Sequence, residues 1–274
     1  MSNDAVAPAT LTDLPEPSEA GWQLLKTRDF GLLFAGQLIS QIGDALNKVA
    51  LLWFVYDLTG SALKMMVIGV LQTIPPLLFG PLIGVYLDRL SKKKVMIWID
   101  LLRTLLILLI PTLYAAQALT LERLYILVFL TAIVSTVFGP ALASAVPLIV
   151  ERSRFTAANA FIQSTTNIGV LMGPALSGLG IALIGAQNVL YVDSATFLIS
   201  ALCLMPIRMR EPLASPRWLN PSGSMMQDLL IGFRFVFLQH RMVFMLMVTA
   251  ALFNLGASAF MFLLPVFAEQ SLGV

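Results

Sequence analysis

The chain has 274 residues, of which 58% are hydrophobic and only 12% charged, against about 25% charged residues in soluble domains. That balance excludes a water-soluble globule, and so apolar a composition with a formal net charge of only +2 also excludes a disordered chain. Mean hydropathy is +0.86, and the apolar residues fall into runs of about 17 to 30 separated by short charged clusters, the pattern of a polytopic helical membrane protein.

Residues 1–28 carry Pro8, Pro15 and Pro17 among acidic residues and lack the basic start and small-residue cleavage site of a signal peptide. They read as a flexible cytoplasmic tail. Apolar runs then predict membrane spans at residues 30–56, 65–87, 95–116, 122–150, 156–185, 189–207 and 242–268, each long enough for a hydrocarbon core about 30 Å thick. Residues 29–207 therefore form an amino-terminal six-helix transmembrane bundle. Residues 208–241 read as a cytoplasmic linker, where Met226, Leu229, Leu230, Phe233 and Phe237 share one face of an interfacial helix. Residues 242–274 read as the first span of an incomplete carboxy-terminal bundle, which leaves the chain looking cut short after an odd number of spans.

Lys and Arg side chains alternate between loops. Lys26 and Arg28 precede the first span, Arg89, Lys92, Lys93 and Lys94 follow the second, Arg152 and Arg154 the fourth, and Arg208, Arg210, Arg217, Arg234 and Arg241 the sixth. The intervening loops hold only Lys64 and Arg123. Positive residues stay on the cytoplasmic side, so the amino terminus is expected to be cytoplasmic. The one cysteine, Cys203, has no partner for a disulfide, and the one histidine, His240, lies in the linker. No phosphate-binding loop, metal-ligand cluster or hydrolytic triad appears in the sequence, nor an interleaved basic and aromatic surface. The expectation is a non-enzyme without cofactor, metal or nucleic-acid partner.

Matched helix breaks, Gly80-Pro81 in the second span and Gly173-Pro174 in the fifth, suggest a three-plus-three repeat, inverted because these spans cross in opposite directions. The turn after the second span reads Gly84-x-x-x-Asp88-Arg89-x-x-Lys92-Lys93-Lys94. It resembles the loop signature of the major facilitator superfamily, G-x-x-x-D-R-x-G-R-R, with Ser91 in place of the second glycine. A small residue here lets helices approach closely, and the aspartate can face the positive end of a neighbouring helix. The resemblance implies a gating loop of Gly84, Asp88, Arg89 and Lys93 that latches the inward-closed state. The plainer alternative is that the lysines merely anchor the loop.

In the fifth span, Gly169-x-x-x-Gly173-Pro174-x-x-x-Gly178 is similar to the superfamily's antiporter motif, without its usual adjacent glycines. Residues 169, 173 and 177 put Gly, Gly and Ser on one face, suited to close helix packing, while Pro174 bends the helix. The run from Gly36 to Asp44, Asp100-x-x-Arg103 and Ala158-Asn159-Ala160 resemble the branch of enterobactin-type and macrolide exporters.

Polar residues inside the spans carry the functional expectation. Gln37, Gln41, Asp44 and Lys48 form one stripe on the first span, with Asn47 at its edge, and Asn159, Gln163 and Asn167 form another on the fifth. Such stripes must avoid lipid, where a central charge costs about 2.5 to 3.5 kcal/mol on insertion scales. Both are assigned to a substrate cavity, with Asp44 and Lys48 as the proton-coupling pair. Lys48 also stands one turn after Asp44 in the favourable order for a structural ion pair. Asp100 and Arg103 read as a second structural pair, and Asp193 as a group reaching the outer interface, with proton carriage as the weaker alternative.

These observations and the resemblance together imply an all-α polytopic bundle, the six-helix half of a major facilitator fold plus a seventh span, in the plasma or inner membrane. The implied function is export of a small hydrophobic or amphipathic compound, such as a drug, siderophore or metabolite, by proton antiport with alternating access. The implied partners are that substrate, protons, the lipid bilayer and a missing carboxy-terminal half bundle. The alternative is a non-transporting, truncated membrane scaffold or regulatory subunit.

Overall fold

A computed structural model describes residues 17–87 and 90–209, together with residues 241, 242, 244–246, 248, 249, 252 and 253. Across 17–209, seven α-helices follow one another: α1 (Pro17–Lys26), α2 (Arg28–Thr59), α3 (Ala62–Leu87), α4 (Lys92–Ala115), α5 (Leu121–Ile149), α6 (Phe155–Ile184) and α7 (Ala186–Leu204). Helices α2 to α7 are each long and apolar enough to cross a membrane, and they match the first six predicted spans closely. Gly60 ends α2 with φ 61°, and Gly185 turns α6 into α7 with φ 82°, backbone conformations that glycine adopts without a Cβ penalty. Thr120 accepts the Arg123 N–H at 3.3 Å and so caps the start of α5. The expected interfacial helix at 226–237 and most of the span at 242–268 lie outside the described residues, as do Asp88 and Arg89.

The packing follows a two-fold logic. α2 lies against α6 and α7, as α5 lies against α3 and α4, while α4 and α7 pack on each other in the middle. Exchanging the first three spanning helices with the second three maps this pattern onto itself, as a three-plus-three repeat requires. The matched Gly-Pro breaks are not equivalent in packing, because a Cβ at Gly80 would meet open space and one at Gly173 would meet Ala45.

Two apolar layers fill the bundle. One joins Phe30, Leu33, Met96, Ala145 and Leu204 near the start of α2, and the other joins Phe54, Ile107, Leu124, Leu190 and Phe197 towards its far end. Between them lies a polar layer of Gln37, Ser40, Asp100, Arg103, Asp193, Thr196 and Ser200, all buried. Long apolar side chains such as Leu171, Leu183 and Trp98 point outward, the arrangement expected of a surface solvated by lipid.

The tail departs from expectation at its end. Residues 17–26 are helical, with Leu24 buried in the first apolar layer and the Trp22 ring edge-on to Phe161 of α6 at 5.8 Å. Leu24, Leu25 and Trp22 supply an apolar face strong enough to order a ten-residue helix that would be marginal alone.

One end of the bundle gathers the basic side chains. Lys92 Nζ donates to the carbonyls of Leu87 and Leu90, Lys93 Nζ donates to Met205 O at 2.6 Å, and the Arg208 N–H donates to Asp29 Oδ1 at 3.2 Å. The two lysines cap the last carbonyls of α3 and α7 with cations where the helix dipoles are negative.

Candidate functional site

Between α2, α3, α4 and α5 the polar layer opens into a cavity of about 430 Å³, within the range of small-molecule sites. Its α2 wall is the predicted stripe: Gln37, Gln41, Asp44, Asn47 and Lys48 all line it. The helical repeat explains this, since intervals of three and four residues keep side chains on one face. The facing walls are more apolar, with Ile107, Ile110, Val128, Phe138 and Leu142 beside the hydroxyls of Thr131, Ser135 and Thr136. The hydroxyls of Thr131 and Thr136 donate to Leu127 O at 2.8 Å and Ala132 O at 2.7 Å, which leaves their lone pairs for the cavity.

Asp44, midway along α2, is ion-paired with Arg103 of α4 and not with Lys48. Lys48 lies exposed at the cavity and has no ion-pair partner among the described residues. Arg103 is buried at the side chain, which is 8% accessible against 29% for Asp44. Its guanidinium also stacks over the Phe197 ring of α7 at 3.7 Å. One arginine therefore ties three helices together.

The expected local pair of Asp100 with Arg103 does not form. Asp100 is fully buried, and its carboxyl lies beside the Ser200 hydroxyl of α7. The guanidinium reaches instead across to α2, where Asp44 also borders the cavity. Asp193 is likewise not at an interface: it is fully buried, accepts a hydrogen bond from Asn47 Nδ2, and lies 3.5 Å from Thr196 Oγ1. Its position on α7 is set by packing against α2, which sequence distance from the span's end does not report.

Close helix approach makes this geometry possible. A Cβ at Gly169 would stand 2.9 Å from Gln41 O, and one at Gly173 would overlap the Ala45 side chain. Ser177 Oγ donates to Leu46 O at 2.9 Å. The small-residue face of α6 thus lies directly on the helix that carries the cavity stripe. Gly178 takes no part, since a Cβ placed there would have nothing within 4 Å. On the opposite side of α2, Gly36 and Gly43 admit Ser200, Cys203, Asp193 and Thr196 of α7 in the same way. Their spacing of seven was available in the sequence as a second small-residue face.

The second stripe goes elsewhere. Asn159, Gln163 and Asn167 are exposed on α6, with Gln163 Nε2 donating to Asn167 Oδ1 at 3.3 Å, and none of them lines this cavity. Because α6 presents its small residues to α2, the opposite face points away from these helices. Thr166 is the α6 residue at the cavity. Of the gating-loop residues, Gly84 lies within α3 and Lys93 holds the end of α7. Arg103, Gln72, Thr131, Ser135 and Thr136 are cavity residues that lie outside both predicted stripes. Thr131 and Ser135, four apart, carried the same periodic signal in weaker side chains.

Comparison with known proteins adds a family. The family described as transmembrane secretion effector, of the MFS transporters, matches residues 19–274. The macrolide efflux protein A of Streptococcus pyogenes is 27% identical over 179 residues, 65% of this chain and 44% of that protein. The multidrug efflux pump Tap of Mycolicibacterium fortuitum is 28% identical over 210 residues, 75% of this chain and 51% of the pump. An uncharacterized MFS-type transporter of Bacillus subtilis, YvqJ, is 24% identical over 248 residues, 89% of this chain and 58% of the relative. The chain thus spans about half the length of the curated relatives it matches.

Proposed function

Because the chain belongs to the transmembrane secretion effector family of the major facilitator superfamily, we propose that it works in a plasma-membrane exporter, moving a small hydrophobic or amphipathic compound outward in exchange for protons. The observation that carries this reading is the cavity at the middle of the spanning helices, with apolar walls on α4 and α5, an amide-rich wall on α2, and a titratable ion pair, Asp44 with Arg103, at its edge. An amphipathic cargo matches such a surface, its apolar part on Phe138 and Ile107 and its polar part on Gln37, Gln41 and Asn47. Relatives named as macrolide and multidrug efflux proteins support the same class of cargo, and a non-transporting scaffold is not favoured.

Antiport requires a group that binds proton and substrate exclusively. Asp44 meets the requirement by position, because it is the cavity carboxylate and its partial exposure admits water. Lys48, exposed one turn farther along α2, borders the same cavity. Alternating access needs a second bundle closing the cavity, and the exposed Asn159, Gln163 and Asn167 stripe is a face that such a bundle or water would satisfy better than hydrocarbon. Gly84, Asp88, Arg89 and Lys93 are then the latch between α3 and α4, and Gly169, Gly173 and Pro174 the packing face that seats α2.

The exchange reading is tested by Asp44→Asn in the full-length protein, in cells loaded with a fluorescent amphipathic dye. The amide keeps the shape of the carboxylate and cannot titrate, so efflux driven by a pH gradient is expected to be lost with protein abundance near normal. Arg103 keeps its stack on Phe197 and has the carboxyl groups of Asp100 and Asp193 nearby, so insertion is expected to survive. Undiminished gradient-driven efflux by this variant removes Asp44 from the coupling step.

On this reading the basic end of the bundle faces the cytoplasm. A single cysteine introduced at exposed Gln117, between α4 and α5, should react with an impermeant thiol reagent added outside intact cells, and one at Lys93 should not. Outside labelling at position 93 reverses the orientation.

A further inference from the structure

The wall behind the cavity holds more acid than one ion pair uses. Asp100 on α4 and Asp193 on α7 are fully buried, and with Asp44 they place three carboxyl groups around a single guanidinium. The charged groups that face Asp100 and Asp193 are Asp44 from α2 and Arg103 from α4, while Lys48 lies farther along α2, exposed at the cavity. Withdrawing an ion from water costs several kcal/mol, and a cation compensates only when it is in direct contact. Arg103 already makes that contact with Asp44.

The remaining polar atoms show what is short. Both oxygens of Asp100, the Ser200 hydroxyl and Arg103 Nε are buried without a hydrogen-bond partner among the described residues. A bare carboxylate at Asp100 would have only the Ser200 hydroxyl beside it and no cation in direct contact. A carboxyl group carrying its proton is neutral and has a donor to offer the Ser200 oxygen. Asp193 is linked to the cavity by Asn47, which lines it and donates to Asp193 Oδ2.

We propose that Asp100 and Asp193 form a second proton site, set behind the transport cavity and connected to Asp44 through Arg103. The proposal rests on the proton-exchange reading above and extends it from one carboxylate to a shared set. When a proton from cavity water bonds to an Asp44 oxygen, that group becomes neutral and no longer holds the guanidinium. Arg103, free at Nε and stacked on Phe197, swings to Asp193 or Asp100. There the O–H bond breaks, the electron pair stays on the carboxylate, and the proton leaves through water on the Asn47 side. One proton is taken up and one released, so the cluster keeps its charge while the arginine changes the helix it grips. Sites coupled in this way titrate as a set and not as separate residues.

The test is infrared spectroscopy of the purified full chain in lipid at neutral pH, following the C=O stretch of protonated carboxyl groups and its shift in heavy water. A protonated-carboxyl band is expected in the unsubstituted protein, reduced by half in Asp100→Asn and in Asp193→Asn, and absent from the double variant. Absence of the band in the unsubstituted protein overturns the proposal without any variant having to fold. A band of full size in both folded single variants overturns it equally. Dye efflux under an imposed pH gradient is measured in parallel with this bundle joined to the second bundle that alternating access requires. A residue-specific band without dye movement upholds the proton site and rejects the exporter reading, whereas gradient-driven dye movement without the band rejects the proton site alone.

Discussion

Replacing Arg103 by leucine is expected to be among the most damaging single changes in the bundle. The substitution leaves Asp44 without its ion-pair partner and removes the only cation that faces the two buried carboxyls among the described residues. Removing one member of a fully buried ion pair typically costs about 3 to 5 kcal/mol, and the cost here is reduced by the water that reaches Asp44, whose side chain is 29% accessible. Phe197 also loses the cation stacked on its ring, worth about 2 kcal/mol more where the site is desolvated. The yield of monodisperse protein and its thermal midpoint in detergent should therefore fall steeply. The informative comparison is the double variant with Asp44→Asn. Groups in direct contact are not additive, so neutralising Asp44 should recover part of what the leucine removed. Losses in the two singles that simply add in the double would mean that the pair is not a unit, and that α2, α4 and α7 are not tied through one side chain.

The second large effect concerns the seat of α2 on α6. A side chain at position 173 would occupy the space of Ala45, whereas one at position 178 would meet nothing within 4 Å. Gly173→Val is thus expected to push α6 off α2, at a cost of about 1 to 3 kcal/mol or more from overpacking, and to loosen the Ser177 hydrogen bond to Leu46 O one turn on. Gly178→Val, the same chemical change in the same helix, should be close to neutral. Thermal scans of the two variants side by side decide the matter, and similar losses in both would show that the glycines matter for backbone freedom and not for contact with α2.

A good part of this molecule was legible in the chain itself. Six of the apolar runs are spanning helices because hydrocarbon admits no unsatisfied backbone and a helix satisfies its own, so composition and length are enough to place them. Basic loops alternate for a reason equally local. The α2 residues Gln37, Gln41, Asp44 and Lys48 line one cavity, since they share a face by helical geometry alone. The small-residue face of residues 169, 173 and 177 was legible on the same ground, as any closely packed helix pair requires one.

What the chain did not disclose is which face meets which helix. Asp100 and Lys48 both lie about one turn from an opposite charge in sequence, yet Arg103 and Asp44 choose each other across 59 residues. Burial between α2, α4 and α7 makes a direct contact with a partly exposed carboxylate worth more than a local one. Asp193 became a core residue, bound to Asn47 across 146 residues, because Gly43 lets α7 come close enough to α2. The stripe of Asn159, Gln163 and Asn167 turned away from the cavity for the converse reason, that the opposite face of α6 was already committed to α2. Periodicity within one helix states which side chains stand together, and their partners depend on the other helices. Only the assembled bundle, in which each polar group must find a partner or a proton in a medium that offers neither, decides them.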